Sequence, residues 1–225
     1  MRSKGLYLSV LLFCVLFGRS YEELINGTIK LGVVTTAGCT DTVTFIQSHI
    51  VPTFAEFGRW MDIEFIPWGR TLRNENGSLS CQFGPDDCWA NRVHRCALYM
   101  LRNDLHAQVN YMSCEFRHRQ NRPAYLERSY ICGFFAGLRR VELNRCVTSF
   151  VGEALDHIAE IKSAKPMEII NYVPAVYFND NPGSDWREIY SNLRNYYYKT
   201  DWLQRNSNLF TINIESLPMC SSLTL

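Results

Sequence analysis

Residues 28–47, TIKLGVVTTAGCTDTVTFIQ, place a cysteine where a predicted strand gives way to a predicted helix. The first part is rich in β-branched residues and partly alternates, which predicts a buried strand over residues 28–36. After Cys39, apolar residues recur at steps of three and four, which predicts one face of a helix. Pro52 lies inside that pattern and predicts a kink or a break near Val51.

A second strand is predicted from the alternation of Met61, Ile63 and Phe65 with acidic residues. Strand, helix and strand in this order favour a βαβ unit with parallel strands, so the predicted fold class is α/β. Residues 81–162 then show mostly helical spacing and contain six cysteines, which indicates a helical insertion stapled by disulfides.

Strand character returns in MEIINYVPAVYFND, residues 167–180, with Pro174 in its middle. Proline cannot donate to a strand ladder, so we expect this strand to end, bend or lie at an edge there. Residues 182–225 are polar and rich in tyrosine without a clear period, which predicts a loosely attached C-terminal tail. The main domain is therefore predicted over residues 21–181.

The first twenty residues have the composition of a targeting segment. A positively charged start precedes an apolar run over residues 6–17, and small residues follow at Gly18 and Ser20. This pattern is typical of a signal peptide cleaved near Ser20. The alternative is a short membrane anchor, although the run is shorter than the roughly 20 residues that span a bilayer.

Two sequons, at Asn26 and Asn76, are predicted glycosylation sites in exposed turns. Together with the signal segment they predict a glycoprotein of the secretory pathway, either extracellular or lysosomal. That pathway is oxidising, so paired cysteines are expected. The formal net charge of +1 gives no indication of a nucleic acid or membrane partner.

The cysteine spacing C-x6-C-x7-C over residues 81–96 differs from the close pairs that bind zinc, and no metal site or other cofactor is predicted. On one helix Cys88 and Cys96 would lie about 12 Å apart, at roughly 1.5 Å per residue. A disulfide needs Cα atoms within about 7 Å, so each of the two is expected to pair elsewhere. The six cysteines of this region leave fifteen pairings open.

The stretch CQFGPDDCWANRVHRC, residues 81–96, resembles the signature of the gamma-interferon-inducible lysosomal thiol reductase family, C-Q-H-G-x2-E-C-x2-N-x4-C. Two positions depart from it, with Phe83 in place of histidine and Asp87 in place of glutamate. The positions that match in register are Cys81, Gln82, Gly84, Cys88, Asn91 and Cys96.

The resemblance extends over roughly residues 28–180 and includes later blocks with three more cysteines. It implies a thioredoxin-like core with a disulfide-stapled helical insertion at about residues 81–162. The candidates for structural disulfides are Cys81, Cys88, Cys96, Cys114, Cys132 and Cys146.

In this family a C-x-x-C pair follows the first strand and reduces disulfides at acidic pH in the endocytic pathway. Here the corresponding residues are Cys39, Thr40, Asp41 and Thr42. A helix N-terminus favours a thiolate, so Cys39 retains what nucleophilic attack on a disulfide needs. Thr42 cannot form a disulfide, but its hydroxyl can hold the thiolate by a hydrogen bond. An adduct on Cys39 would then wait for a small-molecule thiol, or for Cys220 in the tail.

The resemblance also places a cis-proline at Pro174, beside the reactive cysteine. A cis bond there would let the backbone of Val173 pair with an extended substrate, whereas an ordinary trans proline at an edge strand is the alternative. The following family position carries tryptophan and here is Ala175, which implies the loss of an aromatic surface near the site.

The leading functional prediction is a thiol–disulfide oxidoreductase of the lysosomal thiol reductase type, with turnover impaired at Thr42. Its expected partners are disulfide-bonded polypeptides and a small-molecule thiol that resolves the adduct. The alternative is a non-catalytic secreted module that binds polypeptides on the same fold. Whether the protein is an enzyme therefore depends on Cys39.

Overall fold

The computed structural model describes residues 28–183 apart from residues 120–121, 124–125 and 127. The predicted signal segment, the sequon at Asn26, Cys220 and the tail from residue 184 onward lie outside these residues. The described strands are β1 Ile29–Thr35, β2 Met61–Pro67, β3 Leu72–Arg73, β4 Leu79–Ser80, β5 His118–Arg119, β6 Arg122–Pro123 and β7 Ala175–Phe178. The described α-helices are α1 Thr40–Phe45, α2 Val51–Phe57, α3 Pro85–Met100, α4 Leu105–Glu115, α5 Ile131–Phe135, α6 Arg140–Val147 and α7 Phe150–Ile170.

A three-stranded sheet in the order β2, β1, β7 forms the centre of the fold. β1 and β2 run parallel, with Ile29 opposite Met61 and Thr35 opposite Pro67. β7 pairs antiparallel with the other edge of β1. Six of the seven residues of β1 are buried, as a central strand covered on both faces requires. The predicted α/β class and the parallel strand pair are confirmed.

The predicted break at Pro52 does not occur. Between α1 and α2 the chain forms a π-helix over Ile46–Ile50, and Pro52 then lies in the first turn of α2. Proline is tolerated at that position because it has no N–H to lose from the hydrogen-bond ladder of the first turn. The helix therefore changes its hydrogen-bond pattern while its apolar side stays buried, at Phe45, Ile46, Ile50, Phe54 and Phe57.

The predicted strand over residues 167–180 is wrong in its first part. Helix α7 continues to Ile170 and ends at Asn171, whose φ of 53° is left-handed, so the strand begins only at Ala175. Met167 and Ile170 explain the difference, because both pack against the buried core beneath the sheet. Their spacing of three places them on one face of a helix, whereas a strand would point them to opposite faces.

Three disulfides lie in the part of the chain between β2 and β7, and the prediction of disulfide bonds is confirmed. They are Cys81–Cys88, Cys96–Cys146 and Cys114–Cys132. Cys88 and Cys96 pair elsewhere, as their separation along α3 requires. The second disulfide joins α3 to α6 and the third joins α4 to α5, so the short helices are tied to the long ones.

A buried ion pair joins α3 to the long helix α7. Asp156 is 1% exposed and accepts from Arg95 Nη2 at 2.5 Å and from Arg92 Nε at 3.0 Å. Burial lowers the pKa of the Arg95 guanidinium, and the charge and hydrogen bond of Asp156 oppose that shift. The ion pair ties α3 to α7, and Arg95 also donates to the Pro67 carbonyl at the end of β2. No helix within the described ranges has both the length and the apolar composition needed to cross a membrane.

Candidate active site

Cys39 lies where the chain leaves β1 and enters α1. It is the N-cap residue of α1, with φ −85° and ψ 118°, and no side chain caps the helix there. The residue is 8% exposed and forms no disulfide with any described cysteine. Its Sγ donates to the carbonyl oxygen of Val173 at 3.5 Å. The sulfur therefore faces the backbone of Val173 across the site.

Val173 and Pro174 form the facing wall of the site. The Val173–Pro174 peptide bond is cis, and both residues are buried just before β7. The Cys39 sulfur contacts the carbonyl on the N-terminal side of that bond. The structure therefore brings together the cysteine after β1 and the proline before β7, which are 135 positions apart in the sequence.

Thr42 lies one turn along α1 from Cys39. It is fully buried, at 0% exposure, and its Oγ1 atom has no hydrogen-bond partner among the described residues. The Thr42 hydroxyl therefore has a proton available for a hydrogen bond. A Cys39 thiolate, one helical turn away, could accept that hydrogen bond. The hydroxyl has no redox chemistry, so any disulfide step must use Cys39 alone.

The signature segment contacts the loop that precedes Cys39. The backbone N–H of Gly38 donates to Asp87 Oδ1 at 3.0 Å, and that of Ala37 donates to Asn91 Oδ1 at 3.0 Å. Sequence reasoning identified Asn91 only as part of a motif and Asp87 only as a departure from it. The sequence did not predict that Asp87 and Asn91 contact the loop before Cys39. These contacts join residues about 50 positions apart, and no local pattern indicates them.

Two partly exposed aromatic rings border the reacting loop and the facing wall. Phe83 is 40% exposed and packs so closely on Gly38 that a Cβ atom there would lie 2.5 Å from the Phe83 Cβ and Cγ atoms. Tyr172 is 49% exposed and immediately precedes Val173. Position 38 must therefore be glycine while the Phe83 ring occupies this place. Phe83 therefore places an exposed aromatic ring against the loop before Cys39.

At Ala175, where the resemblance implied the loss of an aromatic surface near the site, the structure has a core position. Ala175 is 0% exposed and belongs to the buried cluster that includes Val34, Trp68 and Tyr177. Strand β7 alternates its faces, and this position points into the core instead of toward the cysteine. A larger residue here would change core packing, so Ala175 carries no information about the substrate groove.

The remaining signature positions have different explanations. Gly84 precedes α3 with φ 87° and ψ −169°, a conformation that only glycine adopts readily. Gln82 is exposed, and nothing in the described structure explains it. Among the described residues, no three His, Cys, Asp or Glu side chains come together as a metal site would require.

Asn76 lies exposed in the turn between β3 and β4. Its Oδ1 accepts from the Ser78 hydroxyl at 2.7 Å and from the Ser78 N–H at 3.0 Å. The two polar residues of the sequon are thus in contact on an accessible turn. Glycosylation at Asn76 remains a prediction.

Comparison with protein-family models gives a match over residues 30–132 to the family described as gamma interferon inducible lysosomal thiol reductase (GILT). This segment contains β1 from Lys30 onward, Cys39 and the complete signature segment. The match ends before Val173 and Pro174, which form the facing wall of the site.

Curated relatives carry the same family name. GILT-like protein 1 of Drosophila melanogaster is 24% identical over 63% of this chain and 62% of its own length. The gamma-interferon-inducible lysosomal thiol reductase of Carassius auratus is 25% identical over 69% of this chain and 60% of its own length. A reductase-like protein of Anopheles gambiae is 29% identical over 27% of this chain and 26% of its length. The chain thus spans less than two thirds of each of these relatives.

Proposed function

We propose that the chain belongs to the gamma-interferon-inducible lysosomal thiol reductase family, whose model it matches over residues 30–132, and that it performs thiol–disulfide exchange through Cys39 on a thioredoxin-like core. One observation carries the proposal: the Cys39 thiol lies 3.5 Å from the carbonyl of Val173, the residue directly before Pro174. The parallel β1–α–β2 unit, followed by helices and an antiparallel β7, supports the thioredoxin-like core.

The exchange needs no cofactor. The Cys39 thiolate attacks one sulfur of a substrate disulfide, the substrate S–S bond breaks, and the departing sulfur leaves as a thiolate that takes a proton. The product is a mixed disulfide between Cys39 and the substrate. A second exchange by an external thiol releases Cys39 and leaves the substrate joined to that thiol. Thr42 cannot perform this second step, so turnover is slow and depends on the external thiol.

The substrates we propose are disulfide-bonded polypeptides of the secretory pathway, met in an extracellular or lysosomal compartment. The Val173 carbonyl lies 3.5 Å from the Cys39 sulfur, so an extended substrate backbone that pairs with Val173 would lie beside that sulfur. Three disulfides within the described residues support an oxidising compartment.

A non-catalytic polypeptide-binding module is the second candidate. It is favoured by the burial of Cys39, which is 8% exposed and whose thiol donates to a backbone carbonyl. A sulfur covered in this way would leave the groove able to bind a polypeptide without reacting. The two candidates therefore differ in whether Cys39 forms a covalent bond.

The test is a trapping experiment on the folded protein with a peptide that contains one disulfide, at pH 5 and at pH 8. We expect a covalent adduct that peptide mapping assigns to Cys39 in the wild type, and no adduct at position 39 in Cys39→Ala, because the other described cysteines are paired. An adduct should accumulate, since Thr42 cannot resolve it. Retained peptide affinity without any adduct, and no alkylation of Cys39 at either pH, would establish the binding module instead.

A further inference from the structure

Asp87 is a buried carboxylate surrounded by donors. The residue is 0% exposed and lies in the first turn of α3. Its two oxygens accept from Thr36 Oγ1 at 2.9 Å, Gly38 N at 3.0 Å and Phe83 N at 3.3 Å. Asn91, one turn further along α3, donates its Nδ2 to the same carboxylate at 3.1 Å. Four donors thus converge on a single carboxylate that solvent does not reach.

Asn91 continues the same arrangement. It is 1% exposed, its Nδ2 donates to Thr36 Oγ1 at 3.0 Å, and its Oδ1 accepts from Ala37 N at 3.0 Å. Thr36, Ala37 and Gly38 are three consecutive residues, and each is held by Asp87, Asn91 or both. The next residue in the chain is Cys39, so two side chains of α3 fix the backbone directly before the sulfur.

The disulfide Cys81–Cys88 closes the turn from which this support projects. The turn contains Phe83, whose N–H donates to Asp87, and Gly84, whose φ of 87° sets the entry into α3. Four signature positions, Cys81, Gly84, Cys88 and Asn91, therefore belong to one arrangement together with Asp87. The disulfide and Gly84 shape the turn, and Asp87 and Asn91 project from it onto the reacting loop.

We propose that Asp87 and Asn91 are positioning residues of the active site, which hold Thr36–Gly38 so that the Cys39 sulfur faces the Val173 carbonyl. This inference rests on the proposed role of Cys39 as the nucleophile. The support touches no reacting atom and acts through the loop backbone. Misplacement of a reacting atom by about 1 Å can reduce a rate by roughly 100-fold, so the expected effect is on the exchange rate.

A merely helix-stabilising role for Asp87 makes a different prediction, because acidic residues in a first helical turn favour the helix wherever they point. Asp86 supplies the matched control. It occupies the same turn of α3, yet its carboxylate pairs with Arg128 Nε at 2.6 Å on the surface. Asp86→Asn removes the same charge from the same helix end and leaves the loop contacts intact.

The experiment compares Asp87→Asn, Asp87→Glu and Asp86→Asn with the wild type. The quantity measured is the rate of adduct formation with the disulfide peptide. Each variant is measured at a pH above which this rate no longer rises. Thermal unfolding of each variant gives the folded fraction by which the rate is corrected. We expect Asp87→Asn to lose about 10- to 100-fold per folded molecule, since the introduced NH2 group faces either the Gly38 N–H or the Phe83 N–H, and both of these are donors. Asp86→Asn should match the wild type, and Asp87→Glu should recover most of the rate because it restores an acceptor at both oxygens.

A wild-type rate in Asp87→Asn would overturn the positioning role, and so would an equal loss in Asp86→Asn. A wild type that forms no adduct would overturn the proposed function instead. In that case the same variants are compared by iodoacetamide alkylation of Cys39. A change of tenfold or more in either direction in Asp87→Asn alone would support the positioning role, and a smaller change would overturn it.

Discussion

Thr42→Cys is expected to raise multiple-turnover reduction of a disulfide peptide by about 100-fold or more over the wild type, with dithiothreitol as the recycling reductant. In the wild type, each mixed disulfide waits for an external thiol to find it. An introduced thiol one helical turn from Cys39 would attack the mixed disulfide from within the molecule. Effective concentrations for such intramolecular steps reach about 10⁵ M or more, so even poor alignment leaves a large gain.

The structure indicates that position 42 can accept this change. Thr42 is 0% exposed and its Oγ1 has no hydrogen-bond partner among the described residues. Replacing that hydroxyl therefore breaks no bond that the described structure shows. The introduced thiol forms a disulfide with Cys39, the second peptide sulfur leaves as a thiol, and dithiothreitol returns the pair to its reduced state. Electrons from the reductant thus pass to the peptide in two exchanges.

Thr42→Ser is the matched control, because it keeps a hydroxyl at the same position and removes only a methyl group. Its turnover should remain at the wild-type level, and the mixed disulfide should still accumulate. In Thr42→Cys the mixed disulfide should become undetectable by intact mass. Equal turnover in the two variants would show that the second step is not what limits this protein.

The first half of the fold follows from local sequence patterns. β1 is rich in β-branched residues, and β2 alternates apolar with acidic residues. The apolar residues after Cys39 keep their helical spacing although the chain passes from an α-helix to a π-helix and back. These patterns together made a βαβ unit predictable. The end of α7 was not, because residues 167–170 have β-branched character and become helical through packing of Met167 and Ile170 on the core. Tertiary packing overrides local propensity most easily in such short segments.

The sequence predicted those parts of the site in which a single residue, by its own chemistry, indicates a role. Cys39, the absent second thiol at Thr42 and the candidate Pro174 are visible in the sequence, since each is unusual at its position. The contacts of Asp87 and Asn91 with Thr36–Gly38 are not, because they depend on how α3 crosses the loop. A signal did exist in retrospect: Asp87 and Asn91 are spaced by four and therefore share one face of a helix.

Removing the disulfide Cys96–Cys146 by the double variant Cys96→Ala/Cys146→Ala is expected to lower the free energy of unfolding by about 4 kcal/mol. The two cysteines are 50 positions apart, so the cross-link restricts a large loop in the unfolded chain. Urea denaturation of the purified protein without reductant measures the loss. Both cysteines change together so that no unpaired thiol remains to exchange with Cys39.

The matched comparison is Cys81→Ala/Cys88→Ala, whose cross-link spans only 7 positions and is worth about 2 kcal/mol by the same chain-entropy argument. The Cys81/Cys88 variant should lose less stability than the Cys96/Cys146 variant but more of its exchange rate. The reason is that the Cys81–Cys88 turn places Phe83 and Asp87 against the loop before Cys39. The Cys96–Cys146 variant should lose stability and keep its rate per folded molecule at temperatures where it remains folded. If both variants lost rate in proportion to stability, the two disulfides would be equivalent staples and the turn would have no separate part in the site.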